Sequence, residues 1–158
     1  MDDASGRVCR DVRRCVRCGV RIECDYRFPN GDGLHIGGCR DVMVSDCVVD
    51  AQDDALVIRT HQEQMKKSRP CERVMVNNCV LRSKRCYAIR MGWRGDGPMK
   101  DISLNNVMCP HSRWGISFFY PDETTDWAKK PSAADIFRAV DGFEFIDTKF
   151  SLSAKSRR

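Results

Sequence analysis

Cys39-Arg40-Asp41-Val42 returns as Cys71-Glu72-Arg73-Val74 and, more loosely, as Met99-Lys100-Asp101-Ile102, with an earlier copy in Cys9-Arg10-Asp11-Val12. The starting positions lie 30, 32 and 28 residues apart. The last three copies then stay in step. Val42, Val44 and Cys47 correspond to Val74, Val76 and Cys79 and to Ile102, Leu104 and Val107, while Phe143, Phe145 and Thr148 form a weaker further copy. Each copy alternates apolar and polar, the two-residue period of a strand with one buried face. A second set of short apolar runs accompanies them: Gly33-Leu34-His35-Ile36, Ala55-Leu56-Val57-Ile58, Tyr87-Ala88-Ile89-Arg90 and Gly115-Ile116-Ser117-Phe118. Two or three short strands per repeat, with no helical segment between them, predict a solenoid. Leucine-rich repeats would carry a Leu/Asn consensus, and propeller blades would need four strands in about 40 residues. The predicted fold is therefore all-β: a single-stranded right-handed parallel β-helix of about five coils, forming one domain over residues 1–158.

Small polar residues punctuate the coils. Asp46, Asn78, Asn106 and Asp147 fall at one repeat position, where stacked Asn or Asp side chains can bond the neighbouring turn. Two stretches break the rhythm and are expected to be loop insertions, 61–70 and 121–141. Within the second, Ser132 with Asp135 three positions on predicts the cap of a short helix running to about Val140. Residues 151–158 read as a flexible tail.

The chain has 158 residues with 42% hydrophobic and 31% charged, a composition that suits one folded core. Its formal net charge of +5 suits either an acidic partner or an ordinary solvated basic surface. No recognition motif or series of stacking aromatics accompanies the charge, so a nucleic-acid partner is not expected. No apolar stretch approaches the length of a transmembrane helix, and no membrane partner is expected. The start, Met1-Asp2-Asp3-Ala4-Ser5-Gly6, lacks the pattern of a secretory leader. With ten cysteines, this predicts reduced thiols and a cytoplasmic location, or a secreted or periplasmic one if the chain is part of a longer protein. Cys9, Cys15, Cys18 and Cys24 include one Cys-x-x-Cys but no second pair, so neither metal nor other cofactor is expected. Recurrence of Cys9, Cys39 and Cys71, and of Cys47 and Cys79, instead suits small buried residues in stacked coils.

The chemistry lies in the acids. Asp32-Gly33-Leu34-His35-Ile36 aligns with Asp54-Ala55-Leu56-Val57-Ile58 at an offset of 22 residues. Equivalent positions on successive coils stack about 4.8 Å apart, so Asp32 is expected beneath Asp54, with Asp53 beside it. Carboxylates that close raise the pKa of at least one member, as a general acid working with a water-activating base requires. Solvated turns, in which Asp-Gly and Asp-Asp are common, offer the other reading.

Asn30-Gly31-Asp32-Gly33 followed by Gln52-Asp53-Asp54-Ala55-Leu56-Val57-Ile58-Arg59 resembles the Asn-Thr-Asp-Gly and Gly-Asp-Asp-Cys-Ile-Ala-Ile-Lys blocks of glycoside hydrolase family 28, the polygalacturonase-like β-helix enzymes. Ala88-Ile89-Arg90-Met91-Gly92 with Gly95-Asp96-Gly97-Pro98 is similar to bacterial members. The resemblance covers roughly residues 9–120. It implies inverting hydrolysis in which Asp53 protonates the glycosidic oxygen and Asp32 with Asp54 activates water. The family's Gly-His-Gly block is replaced by Lys84-Arg85-Cys86-Tyr87, its Arg-Ile-Lys block has no counterpart near Ser117-Phe118-Phe119, and Gly31 replaces the usual Thr. His35 reads as a strand residue. Arg85 is expected one coil beyond Asp53 and Arg113 one coil beyond that, forming with Arg59 a cationic column for uronate carboxylates. Family members are more than twice this length, so the chain looks like a truncated or C-terminal portion, open to self-association through an uncapped solenoid end.

The expected function is hydrolysis of O-glycosidic bonds in a pectin-like or other uronate-containing polysaccharide. The alternative is a non-catalytic carbohydrate-binding β-helix that keeps the groove without the full site.

Overall fold

Alternating burial along strands such as Arg40–Ser45 and Val48–Ala51, with near-continuous burial along Leu56–Arg59, generates three faces around one core. The computed structural model describes residues 8–10, 13–60, 69–92, 99–118, 140–146 and 149–152, with side chains for 14–60, 69–92 and 99–118. Among these residues the strands form three parallel sheets of five. The first contains β1 (Val8–Arg10), β4 (Leu34–Gly37), β7 (Leu56–Arg59), β10 (Tyr87–Met91) and β13 (Trp114–Phe118). The second contains β2 (Arg13–Cys18), β5 (Arg40–Ser45), β8 (Cys71–Asn77), β11 (Met99–Asn105) and β14 (Val140–Ile146). The third contains β3 (Arg21–Glu23), β6 (Val48–Ala51), β9 (Val80–Ser83), β12 (Met108–Ser112) and β15 (Lys149–Leu152). The chain visits the three sheets in turn and returns one position along each, the order of a parallel β-helix.

Stacking like on like fills the core. Leu34 lies opposite Leu56, which lies opposite Ile89. Val42 lies opposite Val74 and Val74 opposite Ile102; Val44, Val76 and Leu104 follow in the next column. Ile22, Val49 and Leu81 line the third face. These side chains are buried, and a fully buried Leu, Ile or Val stabilises by about 1.5–3 kcal/mol through removal of apolar area from water. Cys39, Cys71 and Cys79 are buried in the same core.

The turn between the second and third sheets explains the polar ladder. Gly19, Asp46, Asn78 and Asn106 all take positive φ, from 48° to 64°, a region that glycine enters freely and that Asn and Asp tolerate through local hydrogen bonding. Asn106 Nδ2 donates to Asn78 Oδ1 at 2.9 Å, and Asn78 Nδ2 donates to Asp46 Oδ1 at 3.4 Å. Asp147 lies outside the described residues. A second positive-φ row, Arg14, Asp41, Arg73 and Asp101, alternates charge from coil to coil. Within it Arg73 donates to both oxygens of Asp41 at 2.6 and 3.1 Å.

Three sequence expectations change. The first repeat shifts: Cys9 pairs with Ile36 rather than Cys39, and Arg13 and Cys15 pair with Arg40 and Val42, an offset of 27 residues. The buried Cys15 and Ile22 set that register, because a slip would turn the apolar set outward. Val140 and Asp141 open β14 by pairing with Met99 and Lys100, so strand replaces the end of the expected 121–141 insertion. Ser151 and Leu152 close β15, with Leu152 opposite Ser112, and shorten the expected tail. The remainder of that insertion, most of the 61–70 insertion and the tail beyond Leu152 lie outside the described residues, as does the helix expected from Ser132 except for its end at Val140, which is strand; Arg69 and Pro70 are outside strands.

Candidate active site

The corner where the third sheet gives way to the first carries the acids. Asn30, at φ 58°, turns the chain into Gly31-Asp32-Gly33, immediately ahead of β4. Leu34 pairs with Leu56, and the 22-residue register brings Asp32 against Asp54 as expected. The Asp54 N–H donates to Asp32 Oδ1 at 3.2 Å. The Asp53 N–H donates to Gly31 O at 3.1 Å, while the Ser83 hydroxyl of the next coil donates to Asp53 O. Backbone bonds from the coils on either side therefore fix the Asp53-Asp54 pair.

The acids occupy different environments. Asp54 is walled in, its side chain 5% exposed, whereas Asp32 is 21% exposed and Asp53 half-buried. Burial pushes the Asp54 carboxyl up to about 6; nearby Arg90 and the Tyr87 N–H oppose the rise, and Asp53 and Asp32 add to it. Tyr87 N–H donates to Asp54 Oδ1 at 2.9 Å, and Arg90 Nε lies 2.6 Å from Asp54 Oδ2. His35 Nδ1 lies 3.6 Å from Asp32 Oδ2. The strand reading of His35 is correct, but its outward ring also borders the first acid, a contact readable from the three-residue spacing.

The expected cationic column is rearranged. Ala51 pairs with Ser83 at an offset of 32, but Leu56 pairs with Ile89 at an offset of 33. The corner after Ser83 thus holds one residue more, and Cys86, rather than Arg85, sits beside Asp53. One carboxylate oxygen of Asp53, one of Asp54 and the Cys86 sulfur lie within 4.8 Å of one another. Positive charge at this cluster comes from Arg90. The Cys86 thiol is pushed up to about 12, first by burial and then by its bond to Asp53, so it stands there as a neutral group. Arg85 and Arg113 are both exposed and adjacent, with Arg113 donating to Arg85 O at 3.4 Å. Arg59 ends β7 opposite Gly37, five residues beyond Asp54. At about 3.3 Å per residue this is roughly 16 Å along the strand, so Arg59 leaves the column. Cys15 is buried while Cys18 is exposed and contacts Asp46, so those two thiols face opposite sides of β2.

Aromatic groups flank the acids. Tyr87 and Trp114 pair at 5.0 Å between ring centroids, Arg113 lies 4.3 Å over Trp114, and Lys84 lies 4.0 Å over Tyr26. The Tyr26 hydroxyl donates to Asp50, which also pairs with Arg82. These contacts pin the loop leading to Asp32 against the wall of β6 and β9. Cys86, Tyr87, Arg90 and Trp114 are missing from the sequence-derived site. The 33-residue offset places Cys86 and Tyr87 beside Asp53 and Asp54, whereas Trp114 and the reach of Arg90 back to Asp54 come from the fold.

The chain is 25% identical to a probable polygalacturonase of Arabidopsis thaliana over 77% of its own length. It spans about a third of that relative, 32%. No protein-family model matches the sequence, and no solved structure matches the fold.

Proposed function

We propose that this corner hydrolyses O-glycosidic bonds in a uronate-containing, pectin-like polysaccharide by single displacement with inversion. One observation carries the reading: two neighbouring coils bring Asp32 against Asp54, with Asp53 beside them, in differing degrees of burial. Two acid environments at one corner divide the labour of proton donor and base. The distant likeness to a probable polygalacturonase and the family-28-like blocks around Asp32 and Asp53 point the same way.

In this reading Asp53 protonates the leaving oxygen and Asp32, the more open of the other two acids, directs the attacking water. The nearest ligating oxygens of Asp53 and Asp54 lie within 4.8 Å, closer than the 6.5–9.5 Å that leaves room for water between an inverting pair. Asp54 therefore acts from behind, as a buried charge that sustains the role of Asp53. Arg85 and Arg113 face the carboxylates of an acidic chain lying across the coils, with the Tyr87–Trp114 pair beside them. Arg59 takes no part at this position.

Reducing-end release from polygalacturonate and from rhamnogalacturonan, measured for the wild type and for Asp53→Asn, tests the proposal. The expected result is release by the wild type and a loss of at least 100-fold in the variant, the usual scale for a general acid. Equal signals from the two proteins reject it. Binding of acidic oligosaccharides without turnover selects the non-catalytic alternative.

A further inference from the structure

Asp54 is gripped from the following coil at both oxygens, and Arg90 contributes the charge. Arg90 leaves β10 opposite Val57, on the outward side of the sheet, and leans back toward the corner. Its Nε lies 2.6 Å from Asp54 Oδ2, its terminal nitrogen donates to Cys86 Sγ at 3.6 Å, and its guanidinium lies 5.2 Å over the Tyr87 ring. Trp114 packs that ring from the next coil. The pair is shielded, at 17% exposure for Arg90 and 5% for Asp54, where an ion pair feels far less screening than at the surface and losing one partner strands the other.

The surroundings of Asp54 make this cation consequential. Asp32 faces it from the coil below, Asp53 adjoins it in the chain, and the neutral Cys86 thiol and Tyr87 N–H face it from the coil above. Every other titratable group in this set is an acid or a thiol. Arg90 is the cation in it that favours a charged Asp54, and the Tyr87 N–H bond acts in the same sense.

We propose that Arg90 is a positioning residue, which keeps Asp54 anionic and oriented so that a fixed negative charge stands beside Asp53 and against Asp32 when they act. The inference rests on the hydrolase reading for its consequence, but not for its test. It is specific to this chain's own corner, because the extra residue after Ser83 is what brings Cys86 and Tyr87 into place beside it. The value of about 6 for Asp54 is consistent with a balance in which burial opposes the guanidinium; removing the guanidinium tips that balance toward the neutral acid.

Carboxyl-carbon NMR titration of Asp54 in the wild type, Arg90→Gln and Arg90→Lys decides the matter, with circular dichroism to verify folding. In Arg90→Gln the Asp54 midpoint is expected to rise by at least one pH unit, a tenfold gain in proton affinity. Arg90→Lys is expected to fall between the two and serves as the test if the glutamine variant does not fold. On polygalacturonate, the acidic limb of kcat/KM should move upward with the Asp54 midpoint, and activity should recover as pH rises above it. A merely structural role would lower kcat without moving that limb. An unchanged Asp54 midpoint in a folded variant overturns the inference, and so does an acidic limb that stays in place while the midpoint moves. Absence of hydrolysis by the wild type rejects the hydrolase reading by itself, while the Asp54 titration still judges Arg90.

Discussion

Replacing Gly33 with alanine tests the close approach that seats Asp32. A Cβ at this position would stand 2.2 Å from Val49 Cγ1 and 2.4 Å from Ala55 O. The valine methyl can move at the expense of core packing, but the carbonyl belongs to the backbone. Ala55 O accepts the Leu34 N–H at 2.9 Å, and the Gly33 N–H donates to Asp54 O at 2.8 Å. Opening the contact therefore separates β4 from β7 where both hydrogen bonds are made. Overpacking costs about 1–3 kcal/mol, and weakening two buried backbone bonds adds about 1 kcal/mol each. Gly33→Ala should accordingly lose about 3–5 kcal/mol in urea unfolding. The neighbouring Gly31→Ala, whose Cβ would lie 3.2 Å from Gln52 Cβ, should lose less than Gly33→Ala, because a shift of a few tenths of an ångström relieves that contact. Adding Val49→Ala to Gly33→Ala should relieve only the methyl component, leaving the carbonyl clash. Any release of reducing ends should fall by about 100-fold, since a displacement near 1 Å at a catalytic group costs about that much. A Gly33→Ala protein within 1 kcal/mol of the wild type would refute the close-approach argument.

Other expectations follow from the same structure. Asn78→Ala should lose about 2 kcal/mol through positive-φ strain and the broken ladder, and Asn78→Gly should lose less because it keeps the backbone conformation; urea unfolding of both variants separates the two components. Leu81→Ala should cost about 2–5 kcal/mol in the same assay, since Leu81 is fully buried. Arg73→Ala should leave urea unfolding nearly unchanged despite good geometry, because its pair with Asp41 is nearly half exposed on both sides. The raised Asp54 carboxyl favours the folded state fully below about pH 4, and that contribution is lost as pH rises through about 6. The stability of Asp54→Asn relative to the wild type should therefore climb between pH 4 and 7, by at most about 3 kcal/mol. Asp25 and Asp41, held low by Arg27 and Arg73, act in the opposite sense. Their stabilisation is lost below about pH 4, equally in both proteins.

Sequence alone carried the fold because a solenoid repeats its burial pattern. Val42, Val74 and Ile102 could be stacked by counting, and the offset between Leu34 and Leu56 placed Asp32 against Asp54 without coordinates. Counting worked wherever strand followed strand in step. It failed where residue numbers changed outside the strands. The first copy lies three residues off the repeat spacing because Cys15 and Ile22 face the core, and one extra residue after Ser83 exchanges Arg85 for Cys86. Tertiary structure also decided which charges meet. Arg90 reaches Asp54 by lying along the sheet edge from three positions past Tyr87, whereas Arg59, nearer to Asp54 in the chain, is carried to the far end of its strand. Repeat patterns specify which residues share a column because burial enforces the period of two. Side-chain direction and corner length obey no such period, and the site depended on both.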